Sequence, residues 1–305
     1  MQLFYREKGS DALPPLFIFH GLWGASDNWL PIAERLSAHF HVILPDMRNH
    51  GHSPHESAMD YPSMAADVRQ LISFLHLREK PLAVGHSMGG KCLMYLLLNT
   101  PDLFRGSAVV DIVPKSYPLN DFCGWHRQLL DFFLHFPIET MQSRTSLHAA
   151  VRQSLPDEQM YQVVLKNVIK TSGGFQWKVN VDAIRHHFID IMQWPLVPRV
   201  SENSVLFVRG EKSEHFSMDD YASVQAIFPN AQFKTIPEAG HWIHAQKPRE
   251  LSDVLIDYFI GCPVFVPKLE CQCRRNCRKS LLIGLYFHSS PCPAVPAAEH
   301  CLYIL

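Results

Sequence analysis

The chain has 305 residues, 47% of them hydrophobic and 11% aromatic, with 28 Lys plus Arg against 29 Asp plus Glu and a formal net charge of −1. That composition excludes general disorder and permits a large core, while the balanced charge excludes the electrostatic footprint of a nucleic-acid binder. No apolar run approaches the roughly 20 residues that span a bilayer, and the start, MQLFYREKGS, has neither an apolar signal core nor an Arg-rich presequence. The expectation is a soluble, cytoplasmic protein with no stable membrane insertion.

Short apolar runs alternate with segments of helical period, the pattern of βαβ units around a mostly parallel sheet. Strands are expected at 16–20 (LFIFH), 42–46 (VILPD), 82–84 and 108–112 (AVVDI), each bounded by Gly, Pro or Asp. Between them, Ser26 and Asp27 precede a helix over NWLPIAERLSAHF, and Tyr61-Pro62-Ser63 precede one over MAADVRQLISFLHL. After Pro114 the patterning turns mainly helical, broken by Gly173-Gly174 and a β-like FQWKVNV. Residues 115–203 therefore read as a cap inserted into a core of 1–114 and 204–261. The core finishes with the strand VLFVRG, a helix near 218–228, a strand near 232–236 and a helix over 248–260.

Cysteine usage is lopsided. Only Cys92 and Cys123 precede Cys262, Cys271, Cys273, Cys277, Cys292 and Cys301, so the body reads as reduced and intracellular. Residues 262–305 lack periodicity and read as a Cys-rich, disordered or foreign tail. Its cysteine spacing matches no strong zinc pattern.

The chemical signal is Gly85-His86-Ser87-Met88-Gly89, a G-x-S-x-G between a buried strand and a helix. A nucleophile elbow holds its serine in a tight turn where neighbouring bulk is not tolerated, hence glycine two before and two after. Ser87 would then sit at a helix N-terminus, whose free N–H groups favour negative charge.

A serine hydroxyl needs a base. Of 18 histidines, His241 in Gly240-His241-Trp242 follows the last strand and comes after Ser87, the chain order this architecture requires; His244, nearby, reads as a packing histidine. Two N–H groups must hold the oxyanion. Met88 is assigned one, and Leu22, in the loop His20-Gly21-Leu22-Trp23-Gly24, the other. For the acid, Asp111 at the end of AVVDI is chosen over Asp182, Glu211 and Glu214, because it lies on the same carboxyl edge of the sheet as Ser87. Ser213 stands after VLFVRG where an acid is commonly found, and Asp182 reads as a helix N-cap.

Other constellations carry less. His50, His52 and His55, in a loop expected to be solvated, and the pair His186 and His187 lack ligand spacing, so no metal or other cofactor is expected. Asp46 to Asn49 is expected to fix that loop by ion pairing and turn hydrogen bonds. Lys91 reads as a surface or paired lysine, and the aromatic stretches WHRQLLDFFLHF and WKVN as core of the cap.

With HGLWG at 20–24, DMRNHGHSPH at 46–55, GHSMGGK at 85–91, VDIVP at 110–114 and GHWIHAQKP at 240–248, the chain resembles the α/β-hydrolase superfamily. Within it, the resemblance is to YbfF-type esterases and the related eukaryotic α/β-hydrolase-domain diacylglycerol lipases, over about 3–260. This implies an α/β-hydrolase fold and a serine esterase or lipase acting on small acyl esters, extending to acylglycerols and acyl-CoA thioesters, with Ser87 and His241 carried over directly. Ser213 in place of an acid looks like the subgroup's own departure and favours Asp111. The eukaryotic relatives are mitochondrial, a location for which no presequence is visible here. Carbon–carbon hydrolysis or perhydrolysis on the same triad, and a catalytically slow ligand receptor, are the rival readings.

Overall fold

Seven strands form the central sheet of the computed structural model, which describes residues 1–118, 124–195 and 197–261. They are β1 (Tyr5–Lys8), β2 (Pro15–Phe19), β3 (His41–Pro45), β4 (Leu82–His86) and β5 (Gly106–Val110), then, after an insertion holding a small hairpin of β6 (Val168–Thr171) and β7 (Gly174–Trp177), β8 (Val205–Gly210) and β9 (Ala231–Ile236). The sheet order is β1-β3-β2-β4-β5-β8-β9, and every pairing is parallel except β1 with β3. This is the α/β-hydrolase architecture, with a mostly parallel sheet between helices and a mainly helical insertion after β5.

Strand sequences are apolar on both faces because both faces are covered. Leu16 and Ile18 of β2 join one core cluster, with Ile32 and Leu36 of α1 (Leu30–Leu36) and Leu251, Leu255 and Phe259 of α11 (Pro248–Gly261). Phe17 and Phe19 point the other way, to Met64, Val68 and Leu71 of α2 (Tyr61–Phe74) and Leu93 and Leu96 of α3 (Met88–Asn99). The insertion carries α4 (Gly124–His135), α5 (Arg144–Ser154), α6 (Glu158–Lys166), α7 (Val181–His186) and α8 (Phe188–Met192). It buries Leu129, Phe133, Val164 and Ile184 in the same cluster as α2 and α3. The remaining helices are α9 (Tyr221–Ile227) and α10 (Ile243–Gln246). No described helix is long and apolar enough to cross a membrane.

Several local expectations are corrected. The edge strand β1 is half exposed and polar, so it gave no apolar signal. A 3₁₀ turn, Ser26–Trp29, precedes α1 and shortens it. Helix α2 starts at Tyr61, with Asp60 as N-cap accepting from Ser63 N at 2.7 Å. The β-like stretch ends at Trp177, and its partner Val168–Thr171 is a strand inside the segment whose patterning is mainly helical. Asn180, not Asp182, caps α7 by accepting from Ala183 N at 3.1 Å.

The loop after β3 is solvated only in its second half, where His52 and His55 are exposed; residues 46–50 are buried. Asp46 accepts from Ser26 N at 2.6 Å and His52 N at 2.8 Å, Arg48 makes a paired contact with Asp67 at 2.6 and 2.9 Å, and His50 is 0% exposed. The expected cap, like the core boundaries, rests on residues that are described except 119–123 and 196. The tail and Cys123 lie outside the described residues.

Candidate active site

Strand order reverses between β2 and β4, and at such a switch point the loops leaving the carboxyl ends diverge and open a crevice. The loop after β2 holds Leu22, and the turn after β4 holds Ser87. Ser87 has φ 53° and ψ −119°, an unfavourable backbone for a residue with a side chain. Close packing enforces it: a Cβ on Gly85 would collide with Gly89 O, and one on Gly89 with Phe19 O. Ser87 N donates to Val110 O at 3.2 Å, tying the elbow to β5. Met88 is the first residue of α3, so its N–H has no intrahelical acceptor.

Two buried histidines brace the loop bearing Leu22. His20 Nε2 accepts from Met47 N at 2.9 Å while its Nδ1 donates to Gly21 O at 2.8 Å. His50 Nε2 accepts from Trp23 N at 3.2 Å, and its Nδ1 donates to Arg48 O at 2.9 Å. Both are neutral rings: burial lowers His20, and burial and then His20 push His50 down to about 3. These histidines are structural.

Asp111 directly follows β5, has φ 52° and is fully buried. Its Oδ2 accepts from His241 Nδ1 at 2.8 Å and from the Ser213 hydroxyl, and its Oδ1 from Gly210 N at 2.8 Å. Burial pushes its carboxyl up to about 7, opposed by the bonds from Ser213 and Gly210. His241 lies well below the ordinary histidine range, through burial and then the neighbouring His86 and His126. A neutral imidazole with Nδ1 held by a carboxylate keeps Nε2 as its basic atom. The His86 ring nitrogen Nε2 bonds His241 O at 3.0 Å, fixing the loop, and the His215 ring stacks on His241 with centroids 3.6 Å apart.

The other acid candidates are elsewhere. Asp182 is exposed and pairs with Arg185 at 3.7 Å; Glu211 accepts from Glu238 N at 2.9 Å; Glu214 is exposed. His244 stacks on Trp29, with centroids 4.8 Å apart. Lys91 is no surface residue. It is 2% exposed, and its Nζ donates to Met192 O at 2.8 Å and Gln193 O at 3.1 Å, at the C-terminus of α8, where a cation is favoured. His55, His186 and His187 each bond separately, to Lys178 O, Asp182 O and the Asp190 carboxylate.

Sequence reasoning missed His215, whose ring nitrogen lies within 4.8 Å of donor atoms of Asp111 and His241. This trio does not suit a metal ion, since stacked rings send their in-plane lone pairs along parallel lines and Asp111 Oδ2 already takes two hydrogen bonds.

Leu22, Ser87, Met88, Tyr117, Met192 and His215 are among the residues lining a narrow cleft, partly open to solvent. Its walls are mostly apolar.

The fold is that of a hydrolase scaffold, and residues 14–248 match the alpha/beta hydrolase fold family, to which the chain belongs. More particularly, it is related to YbfF-type esterases and ABHD11 lipases. It is 33% identical over 247 residues to the sn-1-specific diacylglycerol lipase ABHD11 of Danio rerio, covering 80% of this chain and 78% of that one. To Esterase YbfF of Escherichia coli it is 32% identical over 234 residues, covering 77% and 88%. A marine microorganism esterase of solved structure superposes with TM-score 0.81 at 34% identity, covering 85% of this chain and 99% of that one.

Proposed function

We propose that the chain cleaves carboxylic acyl esters through an acyl-enzyme, with Ser87 as nucleophile, His241 as general base, Asp111 as the acid of the triad, and the Leu22 and Met88 N–H groups as oxyanion donors. That it is an esterase or lipase of the hydrolase fold follows from its kinship; the residue roles and the substrate are this proposal. The observation that carries it is the 2.8 Å bond from His241 Nδ1 to a buried Asp111, one strand over from the Ser87 elbow.

Ser87 Oγ attacks the ester carbonyl as His241 Nε2 takes its proton, and Asp111 holds the tautomer and stabilises the imidazolium. The oxyanion faces the two amides, each such donor being worth about 3 kcal/mol. His241 then returns the proton to the departing alcohol, and water, activated by the same ring, releases the acid. The apolar cleft beside Ser87 suits the acyl chain, and residues 115–203 act as the cap that closes over it. Acyl-CoA thioesters meet the same chemistry at the same carbonyl.

Ser87→Ala should lower p-nitrophenyl ester turnover by about 10⁴-fold or more with an unchanged melting temperature, and a fluorophosphonate should label wild-type Ser87. Retained turnover in Ser87→Ala overturns the nucleophile. Comparing oxygen esters with acyl-CoA thioesters of matched chain length sets the substrate class.

A further inference from the structure

Leu22 and Trp23 are the central residues of a tight turn closed by Gly24 N donating to Gly21 O at 3.0 Å. Trp23, in the third position of that turn, has φ 65°, the left-handed conformation that such a turn ordinarily gives to glycine. A residue with a side chain stays there only where its surroundings hold it. Trp23 is 3% exposed, and it is held from two directions. From the core, His50 Nε2 accepts its backbone N–H. From the insertion come three contacts: Asn167 Nδ2 donates to Trp23 O at 2.9 Å, His126 Nδ1 accepts from Trp23 Nε1 at 3.0 Å, and the Phe133 ring stacks on the indole with centroids 5.1 Å apart.

The partners are themselves fixed. Asn167, buried just after α6, also donates from Nδ2 to Val163 O at 2.9 Å, and its own carbonyl accepts from Lys178 N at 2.7 Å. His126 lies in the first turn of α4, and burial, then the neighbouring His86, lowers it to about 4. At neutral pH its ring is therefore uncharged, with a lone pair on Nδ1 for the indole N–H. Leu22 precedes Trp23 directly, so it has an anchor on each side. Gly21 O, before it, is held by His20 from the core; after it, the carbonyl and ring of Trp23 are held by the insertion. Released from those contacts, the turn would relax by rotating the Leu22–Trp23 peptide to return Trp23 to negative φ, and the Leu22 N–H would shift with it.

We infer that Trp23, Asn167 and His126 are positioning residues for the oxyanion donor on Leu22, so that the insertion, besides covering the cleft, completes the oxyanion hole. The inference rests on the reading of Ser87 as nucleophile and of the Leu22 N–H as its oxyanion donor. Such positioning is felt where charge develops on the carbonyl oxygen and little in ground-state binding. Its loss therefore falls on kcat and spares KM.

Asn167→Ala removes the amide from Trp23 O, and Trp23→Phe removes the indole N–H while keeping a ring against Phe133. With p-nitrophenyl butanoate each should lower kcat about tenfold and leave KM within about twofold, a smaller loss than the roughly 10²-fold or more that follows outright removal of an oxyanion donor. A trifluoromethyl ketone with the same propyl chain takes the Ser87 oxygen at its carbonyl carbon, gives the Ser87 proton to His241 and sets its oxyanion against the same amides. Its inhibition constant should rise in each variant by the factor by which kcat falls. Trp177→Phe removes an indole N–H that bonds Phe133 O at 3.1 Å, wholly within the insertion, and should leave kcat within about twofold of wild type. Trp23→Phe decides the matter should Asn167→Ala not accumulate as folded protein. Unchanged kcat and ketone inhibition in Trp23→Phe, or an equal loss in Trp177→Phe, overturns the coupling, while fluorophosphonate labelling of Ser87 in the same proteins leaves the nucleophile standing. Absence of labelling and of turnover in wild type overturns both.

Discussion

The Ser213 hydroxyl donates to Asp111 Oδ2, the same oxygen that accepts from His241 Nδ1. The loop after β8 therefore supplies a hydrogen bond to a charge that comes from β5. Ser213→Ala should leave the fold intact and lower kcat/KM by about 10- to 100-fold, the range for a bond to a charged acceptor. An unaltered rate would show that Gly210 N and His241 suffice to hold the carboxylate.

Asp111→Asn keeps the shape of the side chain but not its charge, and an amide can hold His241 in the wrong tautomer. A drop in kcat of about 10⁴-fold is expected. Asp182→Asn, on the exposed face of α7, should stay within twofold of wild type, about the effect of a neutral surface change. The reverse ranking in steady-state assays would move the acid of the triad to Asp182.

Buried histidines set the pH response of stability. His20, His50, His86 and His244 are all lowered from 6.5 by burial, His50 to about 3. Above pH 6.5 these rings are neutral whether folded or not, and contribute no slope. Below 6.5 the unfolded chain binds protons that the folded rings refuse, so stability falls with pH by up to about 1.4 kcal/mol per unit for each group. Asp111, raised from 3.8 to about 7, works in the opposite sense between those values, but it is one group against seven, since His126, His215 and His241 are lowered by burial as well. Melting temperature should decline steadily from pH 7 to pH 5 in a thermal scan; a flat profile would contradict the burial of these rings as neutral groups.

Lys91→Met retains the apolar stem and removes the ammonium from the carbonyls of Met192 and Gln193. Leaving those oxygens unpaired should cost about 1–3 kcal/mol, read as a lowered denaturation midpoint. Faster protease nicking within 115–203 should accompany it.

Gly89→Ala places a methyl group against Phe19 O. Backbone on both sides prevents relaxation, so the loss should exceed about 3 kcal/mol, seen in urea unfolding or as failure to accumulate folded protein. Gly124→Ala, where no atom of the described residues outside its own helix backbone and chain neighbours lies within 4 Å of the added carbon, is the control.

The parts of this architecture legible in the sequence were those encoded locally. β2 and β4 are short apolar runs with sharp ends, and the glycines around Ser87 report their own turn. The place of Asp111 at the carboxyl edge of the sheet was legible because it ends a strand whose direction the βαβ pattern fixes. What escaped depends on partners distant in the chain. The role of Ser213 exists only through Asp111, 102 positions earlier, and the burial of Lys91 only through the carbonyls ending α8. The hairpin was half legible: Gly173-Gly174 announced a turn, but Val168–Thr171 follows α6 directly and its apolar residues fit the continuing helical period. β1 was hidden because a half-exposed edge strand needs no apolar alternation.

Tyr61 also reaches the end of α8, donating to Ile191 O at 2.6 Å, beside the bonds from Lys91. The seam between insertion and sheet is thus gripped at consecutive main-chain oxygens, atoms that every amino acid carries. That grip depends on no side chain at 191–193, so it survives any replacement there that leaves the backbone in place.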